Sequence, residues 1–162
     1  MKRLLSILSL ALAVAALATT GASAGTNPHF TFTIFEAPFT LPAGTFCDFN
    51  YGESATGTGT QVNLDDSRAV AHITVNVTHV NEDTGYTLTE RDEATGNVNF
   101  LTGHLIEVGL MWNLRDASGN LVVIQAGEIV IDANTGEVVS FTPNINPDAA
   151  AVICPALGGS PA

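Results

Sequence analysis

The sequence predicts an all-β domain, an antiparallel meander forming a barrel or barrel-like sandwich, with a short C-terminal helical turn. Three observations lead there. Apolar and polar residues alternate with period two in several segments, as half-buried strands require. The connections between those segments are short and pair an Asx or Thr with Gly, which suits tight hairpins. No long helical repeat appears in the body of the chain, so about nine or ten short strands must bury their apolar faces against one another.

The first strand is HFTFTIFE, His29 to Glu36, with Phe30, Phe32 and Ile34 on one face and Thr31 and Thr33 on the other. Pro38, Pro42 and Gly44 turn the chain into Thr45 to Tyr51, where Cys47, Phe49 and Tyr51 share a face. Glu53 to Gly59, ESATGTG, reads as a surface loop before a weak strand at Gln61 to Leu64. The clearest strand is RAVAHITVNVTHV, Arg68 to Val80. Its core face carries Ala69, Ala71, Ile73, Val75 and Val77, with His72, Thr74, Asn76 and Thr78 opposite. A loop at Asn81 to Gly85 leads to Tyr86–Arg91, and Asp92 to Gly96 reads as a turn into Asn97–Leu101.

His104 to Leu114 is the second strong strand. Ile106, Val108, Leu110, Trp112 and Leu114 fall on its apolar side, against Leu105, Glu107, Gly109, Met111 and Asn113. DASGN, Asp116 to Asn120, returns the chain into Leu121–Ala126, and Gly127 marks a bend before Glu128–Ile131. DANTG, Asp132 to Gly136, links to Glu137–Thr142. In the tail, Asn146 can cap and Pro147 fits the first helical position, so Asp148 to Ile153 form a turn of helix that presents Cys154 to the sheet. Gly158 to Ala162 are expected to fray.

Residues 1–24 have the three-part form of a cleaved secretory signal: a basic start at Lys2 and Arg3, an apolar run from Leu4, and small residues ending at Ala24. The run is shorter than the roughly 20 residues needed to span a bilayer. The expected product is a secreted, extracellular protein of one all-β domain, residues 25–162, without a membrane span. Losing Lys2 and Arg3 takes the net charge from −11 to −13 and leaves Arg68, Arg91 and Arg115 against 16 acidic residues. Three scattered arginines cannot release counterions from nucleic acid, so nucleic acid is excluded as a partner. An exported chain with two cysteines has one intramolecular pairing, Cys47 with Cys154.

No catalytic or metal-binding set stands out. Asp83-Thr84-Gly85 matches half of an aspartic-protease pair, but it lacks a second copy and sits in a turn-like context. Asp132 to Glu137 starts like a calcium loop and then departs from it, with Gly136 at the fifth place and Pro143 at the twelfth. His72 and His79 are separated by an odd number of residues, so on one strand they face opposite ways and cannot share an ion. No GxSxG elbow occurs, and no cofactor is expected. His72, Arg91 and Glu107 lie on the less apolar faces of three strands and form a candidate polar patch, against the competing reading of a solvated outer face.

PAGTFCDF early in the chain, TGEVVSFTP late and CPALGG near the end resemble a group of small secreted, β-rich proteins of actinobacterial type, with a PAGxxCxF start and a CxxL end. The resemblance implies export, a β-rich domain and the Cys47–Cys154 disulfide; it adds no catalytic residue.

The leading functional expectation is a non-catalytic secreted domain that binds a small apolar ligand or a protein partner. Phe49, Ile73, Val75, Val108, Leu110 and Trp112 are the candidate apolar lining of its interior. The first alternative is an extracellular isomerase- or cyclase-like enzyme on a β-barrel scaffold, using His72, Arg91 and Glu107. The second is a surface or interaction protein without a pocket.

Overall fold

The computed structural model describes residues 29–162. The expected signal segment at residues 1–24 lies outside them. The described chain forms seven strands: β1 (His29–Leu41), β2 (Tyr51–Asp65), β3 (Arg68–Asn81), β4 (Tyr86–Asn99), β5 (His104–Asp116), β6 (Leu121–Asp132) and β7 (Val138–Phe141). One helix follows, α1 (Ala149–Ala156). The strands lie in a single sheet in chain order, each antiparallel to the next, so the meander is observed. β1 and β7 are its two edges and do not pair with each other. Ile34 of β1 nevertheless lines the same cavity as Trp112 of β5 and Ile129 of β6, so the sheet curls until its first strand faces its fifth and sixth. The form is barrel-like and left open.

The strands are longer and fewer than the sequence suggests, because several stretches with loop composition are strand. Residues 53–59 belong to β2. There Glu53, Ala55, Gly57 and Gly59 alternate with Ser54, Thr56, Thr58 and Thr60, and β-branched threonine suits the outer face. Small residues inside serve packing: a Cβ on Gly59 would collide with the Phe32 ring, which occupies that space. Asp92 to Gly96 likewise continue β4, across a bulge between Glu90 and Glu93. Gly127 is strand, and its bare backbone lets Thr142 and Ile145 pack against β6.

β3 follows the expected alternation, with Ala69, Ala71, Ile73, Val75 and Val77 buried. β5 does not. A bulge between Leu110 and Trp112 reverses its facing, so Leu105 and Glu107 point inward before the bulge and Trp112 and Leu114 after it. Val108, expected in the lining, is therefore outside and 45% exposed.

The C-terminal segment closes one part of the core. α1 buries Ala149, Val152, Ile153 and Cys154. The disulfide joins Cys154 to Cys47 in the β1–β2 connection, with both cysteines fully buried and their Cα atoms 5.5 Å apart. Residues after the helix are held rather than frayed: the Asp48 amide donates to the Ser160 carbonyl, the Ala162 amide to the Phe46 carbonyl, and Asn81 Nδ2 to the Leu157 carbonyl. Among the described residues no helix is long and apolar enough to cross a membrane.

Candidate functional site

The inner face of the sheet is apolar at its ends and acidic in the middle. Tyr51 and Glu53 on β2, His79 on β3 and Glu90 on β4 are all buried there. They meet because Glu53 pairs with His79 across β2–β3, while Val77, two residues from His79 on the same face, pairs with Glu90 across β3–β4. Tyr51 donates its hydroxyl hydrogen to Glu53 Oε2. His79 Nδ1 lies 2.7 Å from the Tyr51 hydroxyl oxygen, and its Nε2 lies 2.8 Å from Glu90 Oε2. With the Tyr51 hydrogen spent on Glu53, both ring nitrogens face acceptors, so both carry hydrogen and the ring is an imidazolium. Burial opposes that charge, but the hydrogen bonds and charges of Glu53 and Glu90 outweigh it and raise the His79 pKa to about 9. The Tyr51 hydroxyl is pushed far up, first by burial and then by Glu53, and stays protonated.

Beside this chain lies a cavity of about 70 Å³. Its apolar walls include Ile34, Ala55, Val75, Val77, Leu110, Met111, Trp112 and Ile129, and its polar lining is Glu36, Glu53, Glu90, Asp92 and Glu107. Asp92 is held in its neutral form by burial and by the adjacent Glu90 carboxylate, to which it donates. Glu107 is 3% exposed, and burial alone raises its pKa to about 7. Its Oε1 is buried with no hydrogen-bond partner among the described residues. A carboxyl that titrates near neutrality beside an apolar space can exchange a proton with a bound molecule or hold a positive charge. The three arginines among the described residues are exposed and engaged elsewhere: Arg68 pairs with Asp65, Arg91 with Glu93, and Arg115 donates to the Gly119 carbonyl. Among the described residues no group of three or more His, Cys, Asp and Glu side chains is arranged to hold a metal ion.

The expected polar patch is not assembled. Glu107 is inside, whereas His72 and Arg91 are exposed on the other side of the sheet, so the three do not converge. His72 lies in a groove of about 470 Å³ bordered by Thr31, Thr58, Thr60, Thr74 and Thr95, with Nδ1 3.0 Å from Thr95 Oγ1. Of the expected apolar lining, Val75, Leu110 and Trp112 do border the inner cavity. Ile73 is buried on the same strand as Val75, Phe49 packs near Gly159 in the C-terminal segment, and Val108 is outside.

Glu53, His79, Glu90 and Asp92 were not singled out as a site by the sequence pattern. His79 could have been found by extending the inward alternation of β3 two residues past Val77. Glu53 and Asp92 sit in stretches that look like loops, and Glu90 sits near the end of the expected strand Tyr86–Arg91. Comparison with protein-family models, with curated proteins and with solved structures found no match to this chain.

Proposed function

We propose that the protein is a secreted binding domain that holds a small amphiphilic molecule on the concave face of its sheet. One observation carries this reading: the buried Glu107 Oε1 has no hydrogen-bond partner among the described residues and borders a cavity whose remaining walls are largely apolar. Leaving such a group unsatisfied costs about 1–3 kcal/mol, so a molecule that supplies a donor there recovers stabilisation that the empty protein lacks. The Cys47–Cys154 disulfide is consistent with an oxidising compartment, which supports export. Binding is favoured over catalysis because His72 and Arg91 are remote from Glu107.

Trp112, the single tryptophan, borders the cavity and reports on it. Titration with short-chain alcohols, carboxylic acids and amines is expected to change its emission saturably for at least one class. The same compound should raise the unfolding midpoint, since a ligand at 100 times its dissociation constant adds about 2.7 kcal/mol. Unchanged emission and an unchanged midpoint with all three classes would sink the reading.

A further inference from the structure

We infer that the molecule bound in this cavity is a small protonated alkylamine, with its ammonium group at Glu107 and its stem against Trp112. The inference rests on the binding reading above and adds the chemical class of the ligand. The charge of the site is the first argument. Glu36 from β1, Glu53 from β2, Glu90 and Asp92 from β4 and Glu107 from β5 all border the cavity. The basic group beside Glu53 and Glu90 is His79 from β3, and both of its N–H groups are directed at Tyr51 and Glu90. An anionic ligand would meet further carboxylates, with no cation among the described residues left to pair with it. A cation would be paired.

Hydrogen-bond stoichiometry is the second argument. Ionised Glu107 offers acceptors only, and its buried Oε1 has no donor among the described residues. A primary ammonium brings three donors, enough for Glu107 and for the neighbouring Asp92–Glu90 pair, whereas an alcohol brings one. Size and shape are the third. About 70 Å³ holds on the order of five water-sized groups, which fits a nitrogen and a short carbon stem, and Ile34, Val75, Met111 and Trp112 supply the apolar contact.

Binding then exchanges one positive charge for another: the ammonium enters, and Glu107 releases to solvent the proton it carries in the empty protein. Only the ionised fraction of Glu107 is competent, and its pKa lies at about 7. The apparent affinity for the cation should therefore rise roughly tenfold between about pH 6 and about pH 8, while an alkylammonium, like a lysine head group, remains charged throughout.

The test is isothermal titration of the full exported chain with n-butylammonium, n-butanol and butyrate at both ends of that pH range. Two buffers of different ionisation enthalpy would count released protons. The expected result is saturable binding of n-butylammonium with proton release, and at least about tenfold weaker binding of the other two. Glu107→Gln should keep the circular dichroism spectrum of the parent, lose at least about tenfold in affinity for the amine, and abolish the pH dependence. Should that variant misfold, the buffer dependence of the parent decides alone. If n-butanol or butyrate binds as tightly as the amine, or the amine binds without proton release, the assignment of a cation is overturned while the binding reading survives. If none of the three binds, both fall.

Discussion

The Nε2 of His79 lies 2.8 Å from Glu90 Oε2, with neither residue more than 3% exposed, so a charged pair is enclosed inside the sheet. Such a pair contributes little net stability when intact, because desolvation offsets attraction, but breaking it leaves an uncompensated buried charge. His79→Ala would remove the counter-charge that faces Glu53 and Glu90. We expect it to lower the free energy of unfolding by about 3–5 kcal/mol near neutral pH, measured by urea denaturation. A loss below about 1 kcal/mol would mean that His79 is not the counter-ion of this cluster.

The pH dependence of stability should run opposite to that of most globular proteins above pH 5. His79 has its pKa raised to about 9 in the folded state, so its contribution is complete below the ordinary histidine value of about 6.5 and is lost as pH rises through 9. Glu107 is raised to about 7, so the folded state holds its proton while the unfolded chain has released it. That contribution is present below about pH 4.5 and lost as pH rises through 7, on the order of 3 kcal/mol. Asp92 acts in the same direction. The opposing groups, Asp65, Asp116 and Asp132, have lowered pKa values and lose their contribution only as pH falls below the ordinary carboxyl range. Calorimetric melting temperatures should therefore fall steadily from about pH 5 to about pH 9. A flat or rising profile over that range would contradict the buried network.

The disulfide spans 107 residues and joins the β1–β2 connection to α1. In the chain-entropy account a loop of this length restricts the unfolded ensemble by about 4.7 kcal/mol. Cys47→Ala with Cys154→Ala should remove most of that, with the further expectation that residues 158–162 then loosen, since their partners at Phe46 and Asp48 lie beside Cys47. Hydrogen exchange of the Ser160 and Ala162 amides, compared with amides in β3, would separate local release from global destabilisation.

How much of this could be read from the residues depended on whether strands face water on one side and apolar core on the other. β3 does so, and its alternation from Ala69 to Val77 and the opposite facing of His72 and His79 follow directly from period-two geometry. Antiparallel order followed from the Gly-containing connections. The stretches holding Glu53 and Asp92 look like loops because their inward residues are carboxylates, Ala and Gly while their outward residues are Thr, Arg and Glu, so no hydrophobic contrast marks the strand. The chemistry of the site thus hides the elements that carry it. The facing of β5 is hidden for a different reason: an extra residue at Met111 shifts the register, and nothing in LIEVGLMWNL announces where the slip occurs.

That slip is itself testable. Gly109 pairs with Ala94, just before the bulge, and a Cβ placed on it would lie 2.9 Å from Ala94 Cα and collide with the Glu93 carbonyl oxygen. The neighbouring strand cannot yield there without moving the backbone that also carries Asp92. Gly109→Ala is therefore expected to destabilise by about 1–3 kcal/mol as an overpacking substitution. Val108→Ala, one residue away but exposed, should change stability by no more than about 0.5 kcal/mol. Because Glu107 and Trp112 face inward from opposite sides of the bulge, the glycine variant should also shift Trp112 emission in the folded state, and the valine variant should not. If the two variants behave alike in both denaturation and emission, the inward placement of Glu107 and the register that produces it are wrong.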